Sequence, residues 1–227
     1  LGCCLGASAW TPPQDEGGLD LGGQWYRSEG VGGAYVIQED ESVLHTDTGW
    51  FCQRAYIQEI GSDCTVEMTF TPASEYVYWG VVARLDNPVM PQEMGNGECV
   101  VARILGTDGL QVTGQAGGNT PIADYAGGQK YVLRMVLSGS QVSVYLNDME
   151  TPIATGTNEN TGKYVGFYLA QGSGSVIHSY KVNGEFLLGK EKEEDPPEVI
   201  PDENLDPNLG MGAEWYFPNG GGGTYTL

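Results

Sequence analysis

An all-β sandwich is the fold class this chain predicts, on three observations. Glycine reaches 35 residues and tyrosine 13, while charged residues are few apart from acids, a profile of strands joined by many turns. Clean period-two runs occur, as in residues 64–70, where Cys64, Val66, Met68 and Phe70 share one face and Thr65, Glu67 and Thr69 the other. Strand-like runs bounded by turn residues recur every eight to twelve residues or so, with no convincing helix between them.

Taken in order, residues 1–18 read as a lead-in. Leu1-Gly2-Cys3 resembles the end of a bacterial lipoprotein signal, with Cys3 as the residue to be lipidated, and Ala7-Ser8-Ala9 fits an ordinary signal-peptidase site. Either reading places the protein outside the cell or on its surface. The sandwich is expected over residues 19–189. It opens on Trp25-Tyr26, with Gly30, Gly32, Gly33 and Tyr35 following. Strands are predicted at 34–38, 42–46, 51–60, 64–70, 76–85 and 99–105. A tight turn at Thr107-Asp108-Gly109 leads to 110–115. Residues 130–137 and 141–146 form a hairpin about Ser138-Gly139-Ser140. Strands at 151–155, 163–170 and 175–182 follow, and the domain closes at Asn183-Gly184. From Lys190 the chain turns acidic and proline-rich, so 190–208 reads as an extended linker. The opening stretch then returns 190 residues later as Trp215-Tyr216, Gly220, Gly222, Gly223 and Tyr225. Such an echo marks a tandem repeat, with 209–227 as the truncated start of a second copy. No helix follows the glycines to receive an anion, so this is a domain-opening strand rather than a phosphate loop.

The net charge of −20 excludes the usual nucleic-acid binders, which need a basic surface. It also disfavours docking on anionic membranes, leaving a lipid on Cys3 as the only expected membrane contact. No apolar run is long enough to span a bilayer as a helix. Of the five cysteines (Cys3, Cys4, Cys52, Cys64 and Cys99), four remain for disulfides if Cys3 is lipidated, with no pairing dictated. Neither CxxC nor a Cys/His zinc spacing is present, and His45 and His178 read as structural polar residues.

The hairpin Tyr131-Val132-Leu133-Arg134-Met135-Val136-Leu137-Ser138-Gly139-Ser140-Gln141-Val142-Ser143-Val144-Tyr145-Leu146-Asn147-Asp148 resembles one found in the concanavalin A-like lectin/glucanase superfamily. Gly80-Val81-Val82-Ala83-Arg84-Leu85-Asp86 and Lys163-Tyr164-Val165-Gly166-Phe167-Tyr168 resemble two further strands of that superfamily, and residues 175–182 stand where its closing strand would. Laminin-G-like modules and the 3-keto-disaccharide hydrolase group are the most similar by pattern. The resemblance covers about residues 25–185 and implies a jelly roll of two curved antiparallel sheets with one concave outer face. It specifies the fold far better than the function. The E-x-D-x-x-E strand of the glucanases is missing, although retaining hydrolysis needs two carboxylates about 5 Å apart. Glu39-Asp40-Glu41 sit at a turn and point to alternate sides, so no catalytic residue is assigned.

Four of the five arginines (Arg54, Arg84, Arg103 and Arg134) fall inside predicted strands. Arg84 alternates with Tyr76 and Tyr78, and Arg54 shares a face with Tyr56. Arg54, Tyr56, Tyr76, Tyr78, Arg84, Arg103 and Arg134 are therefore the candidate ligand-binding set on the concave face. Rings stack on sugars and guanidinium groups fork two oxygens at once. The competing reading pairs these arginines with acids such as Glu67 on the same sheet. Trp25, Trp50 and Trp79 are assigned to the core. No cofactor is expected; calcium at turns such as Asp86-Asn87 and Asn147-Asp148 is the one metal considered. The expected function is a non-catalytic extracellular module binding carbohydrate or protein, alongside neighbouring repeat copies. A glycoside or 3-keto-disaccharide hydrolase and a structural or adhesive fibre subunit are the alternatives.

Overall fold

The computed structural model describes residues 10–11, 18–28, 32–47, 49–91 and 98–190. The lead-in cysteines Cys3 and Cys4, the linker beyond Lys190 and the echoed stretch 209–227 lie outside the described residues.

These residues form β1 (Gly18–Asp20), β2 (Trp25–Arg27), β3 (Tyr35–Ile37), β4 (Val43–His45), β5 (Arg54–Tyr56), β6 (Thr65–Thr71), β7 (Tyr78–Leu85) and β8 (Val100–Leu105). A single 3-10 turn at Gly106–Asp108 precedes β9 (Leu110–Val112), β10 (Tyr131–Ser138) and β11 (Gln141–Leu146). Then come β12 (Ala154–Thr157), β13 (Tyr164–Ala170), β14 (Val176–Val182) and β15 (Glu185–Gly189). One sheet has the order β1-β2-β5-β13-β7-β8-β9; the other runs β12-β11-β10-β6-β14-β4-β3, with β15 also paired to β14. All pairings are antiparallel, and the chain passes repeatedly from one sheet to the other. The result is the expected jelly-roll sandwich of two antiparallel sheets.

Alternation explains the packing. In β6, Val66, Met68 and Phe70 point between the sheets; in β10, Leu133, Met135 and Leu137 do the same. They meet Trp79, Val81 and Ala83 of β7 and Val165, Phe167 and Leu169 of β13. Phe70 lies 4.6 Å from Trp79, and Trp25 packs edge-on to Tyr180 at 5.1 Å. Burying each such ring contributes about 2–3 kcal/mol. A smaller cluster covers part of the outer face of the seven-stranded sheet, bringing Ala55, Val82, Leu85, Met90, Cys99, Val101 and Tyr168 together.

Three sequence expectations need correction. The strand read at 51–60 shrinks to β5, because its flanks keep isolated backbone bonds rather than a ladder: Cys52 N–H to Leu169, Ile57 N–H to Gln24 and Ile60 N–H to Lys163. The domain does not close at Asn183-Gly184. Asn183 (φ 52°) and Gly184 (φ 88°) form a left-handed turn that carries the chain into β15. Trp50 is not core: it is 59% exposed, while Trp25 and Trp79 are fully buried. Cys52, Cys64 and Cys99, left open for disulfides by the sequence, are buried free thiols.

His45 is buried with its Nε2 2.9 Å from Cys52 Sγ, its ring tilted against Tyr35. Burial, helped by the nearby Arg54 charge, holds His45 below its ordinary value against a hydrogen bond to the Gly172 backbone and the pull of Asp47; burial also pushes the Cys52 thiol up to about 12. The unfolded chain therefore takes up a proton at His45 that the folded one resists. This contribution to stability is fully present above about pH 6.5 and shrinks as pH falls from there toward the lowered folded value. Urea unfolding should show a midpoint that drops between pH 7 and pH 5, with the drop reduced in His45→Gln.

Candidate functional site

The seven residues singled out from the sequence do not share one face. Arg54 is fully buried at the rim of the core. Its Nε donates to Asp20 Oδ2 at 2.5 Å, and its Nη atoms donate to the carbonyls of Gln53 and Gly33 at 2.7 and 2.8 Å. The guanidinium lies 4.9 Å over the Tyr35 ring. Arg84 has φ 54°, a bulge that breaks the alternation of β7 beside a register shift against β13. Its side chain is thereby turned into the protein, where it donates to the carbonyls of Ser62, Asn158 and Gly139 and to Asp63. Tyr56 packs on Trp25 at 5.3 Å against the core. These three are corrected to structural residues, because their polar or aromatic groups are already engaged inside the sandwich. Tyr76 is 65% exposed ahead of β7, and Arg134 stands on the outer face of the other sheet, paired with Glu67 as the competing reading expected. Tyr78 and Arg103 remain on the outer face of the seven-stranded sheet.

There they join residues the sequence reading left out. A cross-strand row runs Gln111, Arg103, Gly80, Tyr168 over β9, β8, β7 and β13. Arg103 Nε donates to Gln111 Oε1 at 2.8 Å, and its guanidinium reaches across Gly80 to within 5.7 Å of the Tyr168 ring centre. Gly80 makes this reach available: a Cβ there would stand 2.2 Å from the Ala102 carbonyl and 2.5 Å from Arg103 Cα. Burial raises the Tyr168 phenol above its ordinary value while the Arg103 charge opposes it. From Tyr168 an aromatic run leads outward, Phe51 at 6.2 Å and then Trp50 at 6.1 Å from Phe51. On the other side of Arg103 lies a cleft of about 270 Å³ lined by Gln111, Thr113, Gln115, Gly118 and Asn119 among others. Tyr168 was findable, since it alternates with the core residue Phe167. Trp50 gave no periodic signal, standing outside any strand.

This arrangement offers exposed ring surface, one cation with N–H groups near the cleft, and side-chain amides that both donate and accept. Among the described residues, no group of three or more His, Cys, Asp or Glu side chains is placed to hold a metal ion. At the turns considered for calcium, three side-chain oxygens accept backbone hydrogen bonds. Asn87 Oδ1 accepts from Val89 N–H, Asn147 Oδ1 from Val132 N–H, and Asp148 Oδ1 from Glu150 N–H. The backbone N–H groups of Glu150 and Thr151, both donating to Asp148, hold its carboxyl below its ordinary value.

No protein-family model matches the chain, and no curated protein matches its sequence. Solved structures similar in fold include the carbohydrate-binding module CBM66 from Bacillus subtilis, at 16% identity and a TM-score of 0.48, covering 70% of this chain and 95% of that one. The exoplasmic/lumenal domain of VIP36, in its Ca2+/Man3GlcNAc-bound form, is 12% identical with a TM-score of 0.48, covering 81% and 94%. The alginate lyase AlgAT5 of polysaccharide lyase family 7 is 16% identical with a TM-score of 0.41, covering 76% and 83%.

Arg84→Ala should cost about 2–3 kcal/mol in urea unfolding, because it removes a fully buried side chain together with its hydrogen bonds to the Ser62, Gly139 and Asn158 carbonyls. Arg103→Ala, at the solvent-facing row, should cost under about 1 kcal/mol.

Proposed function

We propose that the domain binds carbohydrate on the outer face of its seven-stranded sheet, without catalysing a reaction on it. The observation that carries this is the run from exposed Trp50 through Phe51 and Tyr168 to Arg103, Gln111 and the cleft beyond. Sugars combine apolar C–H faces with dense hydroxyls, and this strip joins ring surface to a forked donor and amides. Trp50 and Tyr78 supply stacking surface, Arg103 and Gln111 the hydrogen bonds. No carboxylate is among the described residues lining the cleft, whereas glycoside hydrolysis by the usual route uses a pair of them. An extracellular or surface setting suits such a binder, and tandem copies would multiply a weak single-site affinity through effective concentration.

Trp50→Ala and Arg103→Ala should each weaken binding to whichever glycan the wild type selects on an array by tenfold or more, with unfolding midpoints near wild type. Identical array profiles for wild type and both variants would overturn the assignment.

A further inference from the structure

The opposite face of the sandwich carries a second arrangement that the first site does not use. Across the eight-stranded sheet, one register row runs Tyr145, Arg134, Glu67, Lys181, Phe186 over β11, β10, β6, β14 and β15. At about 4.8 Å per strand the row spans some 19 Å or so. Glu67 is nearly buried, its side chain 11% exposed, and both cations converge on it. Arg134 Nη2 lies 2.5 Å from one carboxylate oxygen and Lys181 Nζ 3.6 Å from the other. Arg134 and Lys181 keep 33% and 25% of their side chains open to solvent. The Lys181 ammonium also sits 4.4 Å over the Phe186 ring. A cleft of about 160 Å³ opens among these three charged residues, Thr65 and Gly184.

The charge balance is the telling part. The chain has 30 acids and 10 lysines and arginines, so a cation ordinarily has acids to spare around it. Among the described ion pairs, Glu67 is the only acid holding two cations. Glu67 cancels one positive charge and orients both partners, leaving a surplus of one beside the cleft. A pure cross-strand ladder needs one cation per carboxylate. The second cation, still open to solvent, has N–H donors for a further anionic oxygen.

We propose that this row binds the carboxylate of an acidic saccharide, a uronic-acid residue of a glycan, independently of the site on the seven-stranded sheet. The carboxylate sits between Arg134 and Lys181, the Glu67 carboxylate and Thr65 hydroxyl take ring hydroxyls, and Tyr145 and Phe186 bound the strip with ring surface.

The test is a titration of the isotope-labelled protein with trigalacturonate and with its neutral methyl ester, followed by amide chemical shifts. Saturable shifts confined to β6, β10, β14 and the Gly184 turn are expected. Affinity should fall at least tenfold for the ester, for Arg134→Gln and for Lys181→Gln, and stay unchanged in Trp50→Ala and Arg103→Ala. Lys181→Gln leaves the Arg134–Glu67 pair intact, so its loss of binding is not a loss of fold. Absence of shifts on those strands, equal affinity for the ester, or insensitivity to Lys181→Gln would each overturn the proposal. Equal affinity for triglutamate would do so as well, by making the row a site for acidic peptides. None of these results bears on the Trp50–Arg103 face, whose variants are tested separately.

Discussion

Two guanidinium groups held inside the sandwich set the terms for everything around them. Burying an ion costs several kcal/mol even after relaxation, so such a group persists only if its donors are filled by well-placed acceptors. Arg84 meets that demand with three backbone carbonyls from separate segments: the turn before β6, the β10–β11 hairpin and the loop before β13. Three loops are thereby fixed against the end of β7, at the expense of a positive φ at Arg84 itself. Arg54 plays the same part for the opening strands. One of its acceptors is the carbonyl of Gly33, whose φ is 107° and where a Cβ would fall 2.6 Å from Cys52 Cβ. Only glycine fits there, which gives one of the glycines of the opening stretch a stated job.

Those internal commitments take two of the four arginines picked out from the sequence away from recognition. With Arg54 and Arg84 consumed by the fold, Arg103 and Arg134 each stand on the outer face of a different sheet. In a chain of net charge −20 the long-range field repels anions, so recognition of a negative group has to be a contact effect between close partners. The Arg103 row has no acid in it and suits neutral polyols. The Arg134 row carries an acid between two cations and suits a ligand with both hydroxyls and a negative charge.

Much of the fold was legible in the sequence because alternation is a local property. The register of β6, β10 and β11 follows from residues two apart, and the hairpin about Gly139 from its turn chemistry. The candidate site was legible only in part. Alternation assigned Arg84 to the face of Tyr78, and a single bulge reversed it. No local pattern shows whether a strand arginine looks outward or is captured by carbonyls dozens of residues away; Gly139 and Asn158 lie far along the chain from Arg84. Trp50 was misplaced for the opposite reason. Hydrophobicity argues for burial, but a large apolar side chain outside a strand has no register to bury it.

The motif that best specified the fold also positions the chemistry. Gly80-Val81-Val82-Ala83-Arg84 was recognisable as a strand of a jelly roll, a statement about architecture alone. In the folded protein its first residue supplies the missing side chain that lets Arg103 reach Tyr168, and its last is the bulged arginine that locks three loops. Between them, Val81 and Ala83 face the core while Val82 faces the outer cluster. A side chain at position 80 would push β8 away and separate Arg103 from Tyr168 in the same movement. The face proposed for binding is thus maintained by the packing constraint that maintains the sheet, and a change there would disturb both together.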